Sequence, residues 1–176
     1  GTPVLDAVRD PAGFDVLVVE LSSHQLWYLG LQRGPQPVSP AASVCLNLAD
    51  DHLEWHGSFE AYRDAKAHVY DHTRIACVYN KSDEATRRMV EDAEVVEGAR
   101  AIGFDLGVPG PSDMGVVDGI VVDRAFLDDR RTSALELTTL ADLDAQGSAL
   151  PTSYRTSWQR PLWRARSVRR RRRSAT

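Results

Sequence analysis

Long apolar runs are missing from this 176-residue sequence. Nowhere does it reach the about 18 uninterrupted apolar residues of a membrane-crossing helix, which excludes that class of element. Gly1 opens into ordinary sequence without the charged-then-apolar pattern of a secretory signal, so the chain is expected to be cytoplasmic. Cysteine is scarce too: Cys45 and Cys77 are the only two. Both lie inside apolar runs, without the paired spacing of a zinc site or a disulfide framework, and are expected as buried thiols. The G-x-x-x-x-G-K-[ST] loop that cradles nucleotide phosphates is also absent from these residues.

Acidic residues are absent from 152–176, which instead hold nine of the 21 basic residues, all arginine. The other residues therefore carry 12 − 25 = −13. An acidic body with a +9 end that includes Trp158 and Trp163 reads as two parts. The body, residues 1–150, has room for one domain with a sizeable core, as its share of the 43% hydrophobic content requires. Residues 151–176 are expected to be a disordered or frameshifted tail. A nucleic-acid arm is the functional alternative for it: Arg169 to Arg173 would contact phosphates and the two tryptophans would stack on bases. The frameshift reading is preferred, and nucleic acid is not expected as a partner.

Phe14 to Leu21, "FDVLVVEL", is a nearly continuous valine-rich apolar run, the pattern of a parallel strand buried on both faces. Ala42 to Leu48 and Ile75 to Tyr79 are further runs of this kind. Between them, Ser58 is placed to cap a helix running to His72, with Glu60 in its first turn where the helix dipole favours a carboxylate. Asp83 is placed to cap a second helix, and "ARAIGF", ending at Phe104, reads as another strand. Alternation of this kind predicts an α/β domain with a mostly parallel sheet flanked by helices. After Gly107 the texture changes. Met114 to Val117 and Ile120 to Asp123 flank Asp118-Gly119, a strong signal for a small hairpin closed by a type I′ turn.

In such sheets ligands bind beyond the carboxyl ends of the strands, and three features fall there. Glu20 ends the first apolar run, although a lone carboxylate also reads as a solvated loop residue. Asn47, Asp50, Asp51, His52, Glu54 and His56 crowd a ten-residue stretch, which reads either as a site or as an acidic, solvent-facing loop. Lys66 shares a helical stripe with Phe59, Tyr62 and Val69, and so should face the sheet. A charged amine there must be paired, snorkel to the rim or be chemically changed.

"VVELSSHQL", then "LNLADDHLEWHGSFEAYRDAK", then "CVYN", in that order and spacing, resemble the central domain of the Mur ligases, the ATP-dependent amino-acid-adding enzymes of peptidoglycan synthesis. Within the family the resemblance is greatest to the branch that adds D-glutamate to UDP-N-acetylmuramoyl-L-alanine, while "SSH" and "EWHGS" also fit the branch that adds the third peptide residue. The resemblance implies a P-loop-like α/β fold that is incomplete here. It implies ATP and magnesium (Mg2+) as cofactors, and a cytoplasmic, monomeric ligase that forms an acyl phosphate and then an amide. Glu20, His52 and Lys66 would hold magnesium, with Lys66 carried as a carbamate, and Lys66 and His52 would be the catalytic pair. Glu20, Asn47 and Ser22 would line the cofactor site. The family's phosphate loop and its flanking domains are not among these residues, so the isolated chain is expected to be inactive; a non-catalytic fragment with a basic arm is the alternative.

Overall fold

A computed structural model of the chain describes residues 3–11, 13–31, 37–49 and 53–145. These divide into two units, residues 3–21 and the residues from Ser22 onward. The first contains one short helix, α1 (Val4–Arg9). Its remaining stretch corrects a prediction: residues 16–20 of the apolar run form no strand. Val16, Leu17, Val18 and Val19 are all exposed. An apolar run becomes a buried strand only when a ladder partner and a covering layer meet it, and the described part of this unit contains no strand to pair with.

The second unit begins where the sequence suggested that a strand ends. Ser22 is the N-cap of α2 (Ser23–Gly30). Its hydroxyl accepts from the Gln25 N–H, and the Gln25 side chain accepts from the Ser22 N–H at 2.9 Å. This reciprocal capping box satisfies two backbone donors at the helix start and turns the chain from extended to helical within one residue. There follow β1 (Ala42–Cys45), α3 (Leu53–His56), α4 (Phe59–Ala67), β2 (Ala76–Asn80), α5 (Glu84–Glu91), β3 (Arg100–Phe104), β4 (Asp113–Val117), β5 (Ile120–Asp123), β6 (Leu135–Thr139) and α6 (Leu140–Ala145).

The six strands form one sheet in the order β1-β2-β3-β4-β5-β6. The first four are parallel and the last two pairings antiparallel. The mostly parallel α/β prediction therefore stands, and so does the hairpin. Met114 pairs with Asp123 and Val117 with Ile120. Asp118 and Gly119 both take positive φ, 50° and 79°, as a two-residue turn matching the strand twist demands. Both predicted caps are present, Ser58 accepting from Ala61 N and Asp83 from Ala85 N and Thr86 N. The helices and β1 are shorter than the sequence suggested, and β6 carried no clear signal in it.

One face of the sheet buries Cys45, Tyr70, Cys77 and Met89, with Leu48, Ala67, Val69 and Val90 around them. The other buries Ala76, Ile102 and Ala125 against Val78 and Met114. Both cysteines are buried and free, as predicted. β1 departs from its prediction of burial on both faces: Ser43 and Cys45 are buried while Ala42 and Val44 are exposed. Tyr70, fully buried, bridges the first two strands: its hydroxyl accepts from the Cys45 N–H at 3.0 Å and donates to the Val78 carbonyl at 2.8 Å.

Among the described residues no helix is long and apolar enough to cross a membrane. The boundary at residue 151, the arginine-rich tail, Asp50, Asp51 and His52 all lie outside the described residues.

Candidate functional site

Three parallel strands, β1, β2 and β3, end at Cys45, Asn80 and Phe104, and the loops beyond β1 and β2 are locked to each other. Asn80 Nδ2 donates to the Leu46 carbonyl at 3.0 Å, and its Oδ1 accepts from Ser82 N. The Leu48 N–H donates to Asp83 Oδ2 at 2.8 Å. Asn47, half-buried, lies between these two anchors. Its backbone is thereby held at the carboxyl edge of the sheet, and its carbonyl accepts from the Cys45 thiol at 3.7 Å. Asp83 was read from sequence as a cap alone; the second use of its carboxylate joins residues 35 apart, which local patterning does not report.

Lys66 lies in the last turn of α4, half-buried, in the stripe that its spacing predicted. Its charge acts on Cys45: burial pushes that thiol up to about 11, and the nearby Lys66 pulls it back. Lys66 therefore lies near enough to the end of β1 for its charge to be felt at Cys45. Lys66 Nζ stands 6.0 Å from the centre of the buried Tyr62 ring, one turn earlier on α4.

A second cluster adjoins α4. Ser23, 2% exposed, has its Oγ 2.9 Å from His56 Nε2, tying the start of α2 to the end of α3. Around this link the rings pack edge to face, Trp55 at 4.4 Å from His24 and 4.5 Å from His56, and His56 at 5.4 Å from Tyr62. A cavity of about 270 Å3 lined by Trp27, Trp55, His56 and Ala61 opens beside it. The sequence places His56 in its crowded ten-residue stretch but gives no sign of its pairing with Trp55 and Ser23. The S-x-x-Q pattern of Ser22 and Gln25 was the available sign that α2 begins there.

Glu20 is exposed in the first unit, at the end of the extended stretch. Ser22 is committed to capping α2. Among the candidate residues, Asn47 follows β1 and Lys66 lies on α4, while His52 lies outside the described residues. Among the described residues no three His, Cys, Asp or Glu side chains cluster as a metal site. With its oxygen donors, Asn47 suits a polar ligand at the strand ends; Lys66 supplies a cation, or an oxygen donor only after modification.

The family model described as the Mur ligase middle domain matches residues 1–107. Three curated relatives carry the name UDP-N-acetylmuramoylalanine–D-glutamate ligase. That of Leifsonia xyli subsp. xyli (strain CTCB07) is 67% identical over 151 residues, 86% of this chain and 29% of that protein. That of Tropheryma whipplei (strain Twist) is 56% identical over 144 residues, 82% of this chain and 30% of that protein. That of Streptomyces avermitilis (strain ATCC 31267) is 52% identical over 143 residues, 81% of this chain and 29% of that protein. The chain spans less than a third of the length of these relatives.

Proposed function

The chain belongs to the Mur ligase family through its middle domain, and from that premise we propose that it is the nucleotide-handling portion of a cytoplasmic ligase joining D-glutamate to UDP-N-acetylmuramoyl-L-alanine. The observation that carries this reading is the 67% identity over 151 residues to a relative of that name. The reaction would activate the substrate carboxylate with the γ-phosphate of ATP and then pass the acyl group to the amine of D-glutamate. Both stages build negative charge, which positioned donors and cations stabilise.

Glu20, His52 and Lys66 take the magnesium-holding roles in this reading, with Lys66 as a carbamate. Magnesium prefers hard oxygen ligands, which a carboxylate and a carbamate supply; when bound, the ion neutralises phosphate charge. Support from the chain's own residues comes from the placement of Lys66. It is half-buried in the last turn of α4, its charge is felt at Cys45, and no carboxylate among the described residues pairs with it. An amine in that setting is available for modification where a salt-bridged one is not. Asn47 would present its amide to the nucleotide or substrate from the loop that Asn80 and Asp83 hold in place.

Transplanting residues 1–145 into the corresponding segment of the Leifsonia relative tests the proposal. ADP release by the chimera should depend on both UDP-N-acetylmuramoyl-L-alanine and D-glutamate, and Lys66→Ala in the chimera should abolish it. Turnover that ignores D-glutamate, or that survives Lys66→Ala, would overturn the reading.

A further inference from the structure

Lys66 and Lys81 are the two lysines of the chain, and the fold treats them oppositely. Lys81 Nζ donates to Asp113 Oδ2 at 2.7 Å and stands 3.7 Å from Asp105. The Asp113 hydrogen bond, with the charge of both carboxylates, pushes its pKa up. Among the described residues the Lys66 ammonium has no such carboxylate and no hydrogen bond; it stands over the Tyr62 ring, 6.0 Å from its centre. That ring is 5% exposed and packed by His56 at 5.4 Å and Phe59 at 6.1 Å, so it cannot follow the lysine if the amine moves.

We propose that Tyr62 is a positioning residue for Lys66 whose ring face competes with carbon dioxide for the amine. The inference rests on the carbamylation of Lys66 in the proposed function. The face of an aromatic ring is the negative pole of its quadrupole, so it attracts an ammonium and repels an anion. Carbamylation reverses the charge that the ring meets. The neutral amine nitrogen attacks the carbon of CO2 and an N–C bond forms. One C=O π pair moves onto oxygen, and the nitrogen gives a proton to solvent. The product is an anion that must swing off the ring. Tyr62 thus holds the unmodified side chain in place, and the modified one is released toward whatever cation recruits it. Lys81, beside two carboxylates, would place a carbamate anion against anions and stays unmodified, which makes it an internal reference.

The experiment uses the full chain, 13C-bicarbonate at one fixed pH, and 13C NMR of the carbamate carbon, with Lys66→Ala to assign the Lys66 signal. Tyr62→Leu should lower the bicarbonate concentration for half-occupancy by roughly two- to five-fold, the scale of an exposed cation–π contact. Tyr62→Phe, which keeps the ring face, should match the unsubstituted chain. Pentafluorophenylalanine at position 62 keeps the shape but inverts the quadrupole, and should lower the half-occupancy concentration at least as far as Tyr62→Leu even if the leucine variant fails to fold. Equal half-occupancy with the native and the fluorinated ring would overturn the competition while leaving Lys66 carbamylation standing. No carbamate signal at Lys66 in any of these proteins would overturn both.

Discussion

The backbone N–H of Leu48 is held by the carboxylate of Asp83, 2.8 Å away, while the other oxygen of that carboxylate caps α5 at Ala85 N and Thr86 N. One side chain therefore starts a helix and fixes the loop after a neighbouring strand. The loop after β1 is thereby anchored on each side of Asn47, by Asn80 at Leu46 and by Asp83 at Leu48.

Replacing Asp83 with alanine removes both uses at once. An N-cap is worth about 1 kcal/mol, and leaving the Leu48 N–H without its partner costs a further ~1–3 kcal/mol if water does not replace it. The expected loss by urea denaturation is thus about 2–4 kcal/mol. Asp83→Ser, which can still cap α5 but is too short to serve both sites, should recover part of the loss. Full recovery with serine would show that the Leu48 bond contributes nothing.

Tyr70→Phe deletes one oxygen from the bridge between β1 and β2. The Cys45 N–H loses its acceptor and the Val78 carbonyl loses this donor, in a site where Tyr70 itself has no exposure. The expected destabilisation is about 1–3 kcal/mol, with faster amide exchange at Cys45 than at the β2–β3 pairings. A uniform change in exchange across the sheet would contradict a local bridge.

Cys45 should be inert at neutral pH. Burial first of all, against the opposing pull of Lys66, moves its thiol from 9.0 to about 11, and the thiolate is the reactive form. The sign for stability follows from proton uptake. Between about 9 and about 11 the unfolded thiol has lost its proton while the folded one keeps it, so stability falls as pH rises through that window and is unaffected below it. Thiol-reagent labelling of the native chain at pH 7 should be far slower than after unfolding. Lys66→Met should push the Cys45 thiol higher still. Fast native labelling at pH 7 would refute the assignment.

Much of the fold was legible because its signals are local. Ser58 and Asp83 cap helices through contacts two to three residues away, and Asp118-Gly119 turns the hairpin through its own positive φ angles. The β1, β2 and β3 runs and the intervening helices announced a parallel sheet. Phe14–Leu21 was misread because valine-rich runs look the same whether or not a neighbouring strand exists, and α2 was missed because the Ser22–Gln25 capping box just past that run was not taken as a helix start. Helical spacing placed Lys66 on the inward stripe of its helix, and it is half-buried there. That spacing also put Tyr62 beside it, whereas the Ser23–His56 link, a bond across 33 residues, leaves no trace in periodicity.

By itself the sequence determined the element types wherever caps, turns and periodicity act within one or two turns of chain, and it placed the chain among the Mur ligases. Tertiary structure alone decided which apolar runs become strands, which carboxylate serves two loops, and how Ser23 meets His56. Backbone pairing and the burial of a charge depend on partners supplied from far along the chain, and their energies exist only once those partners meet.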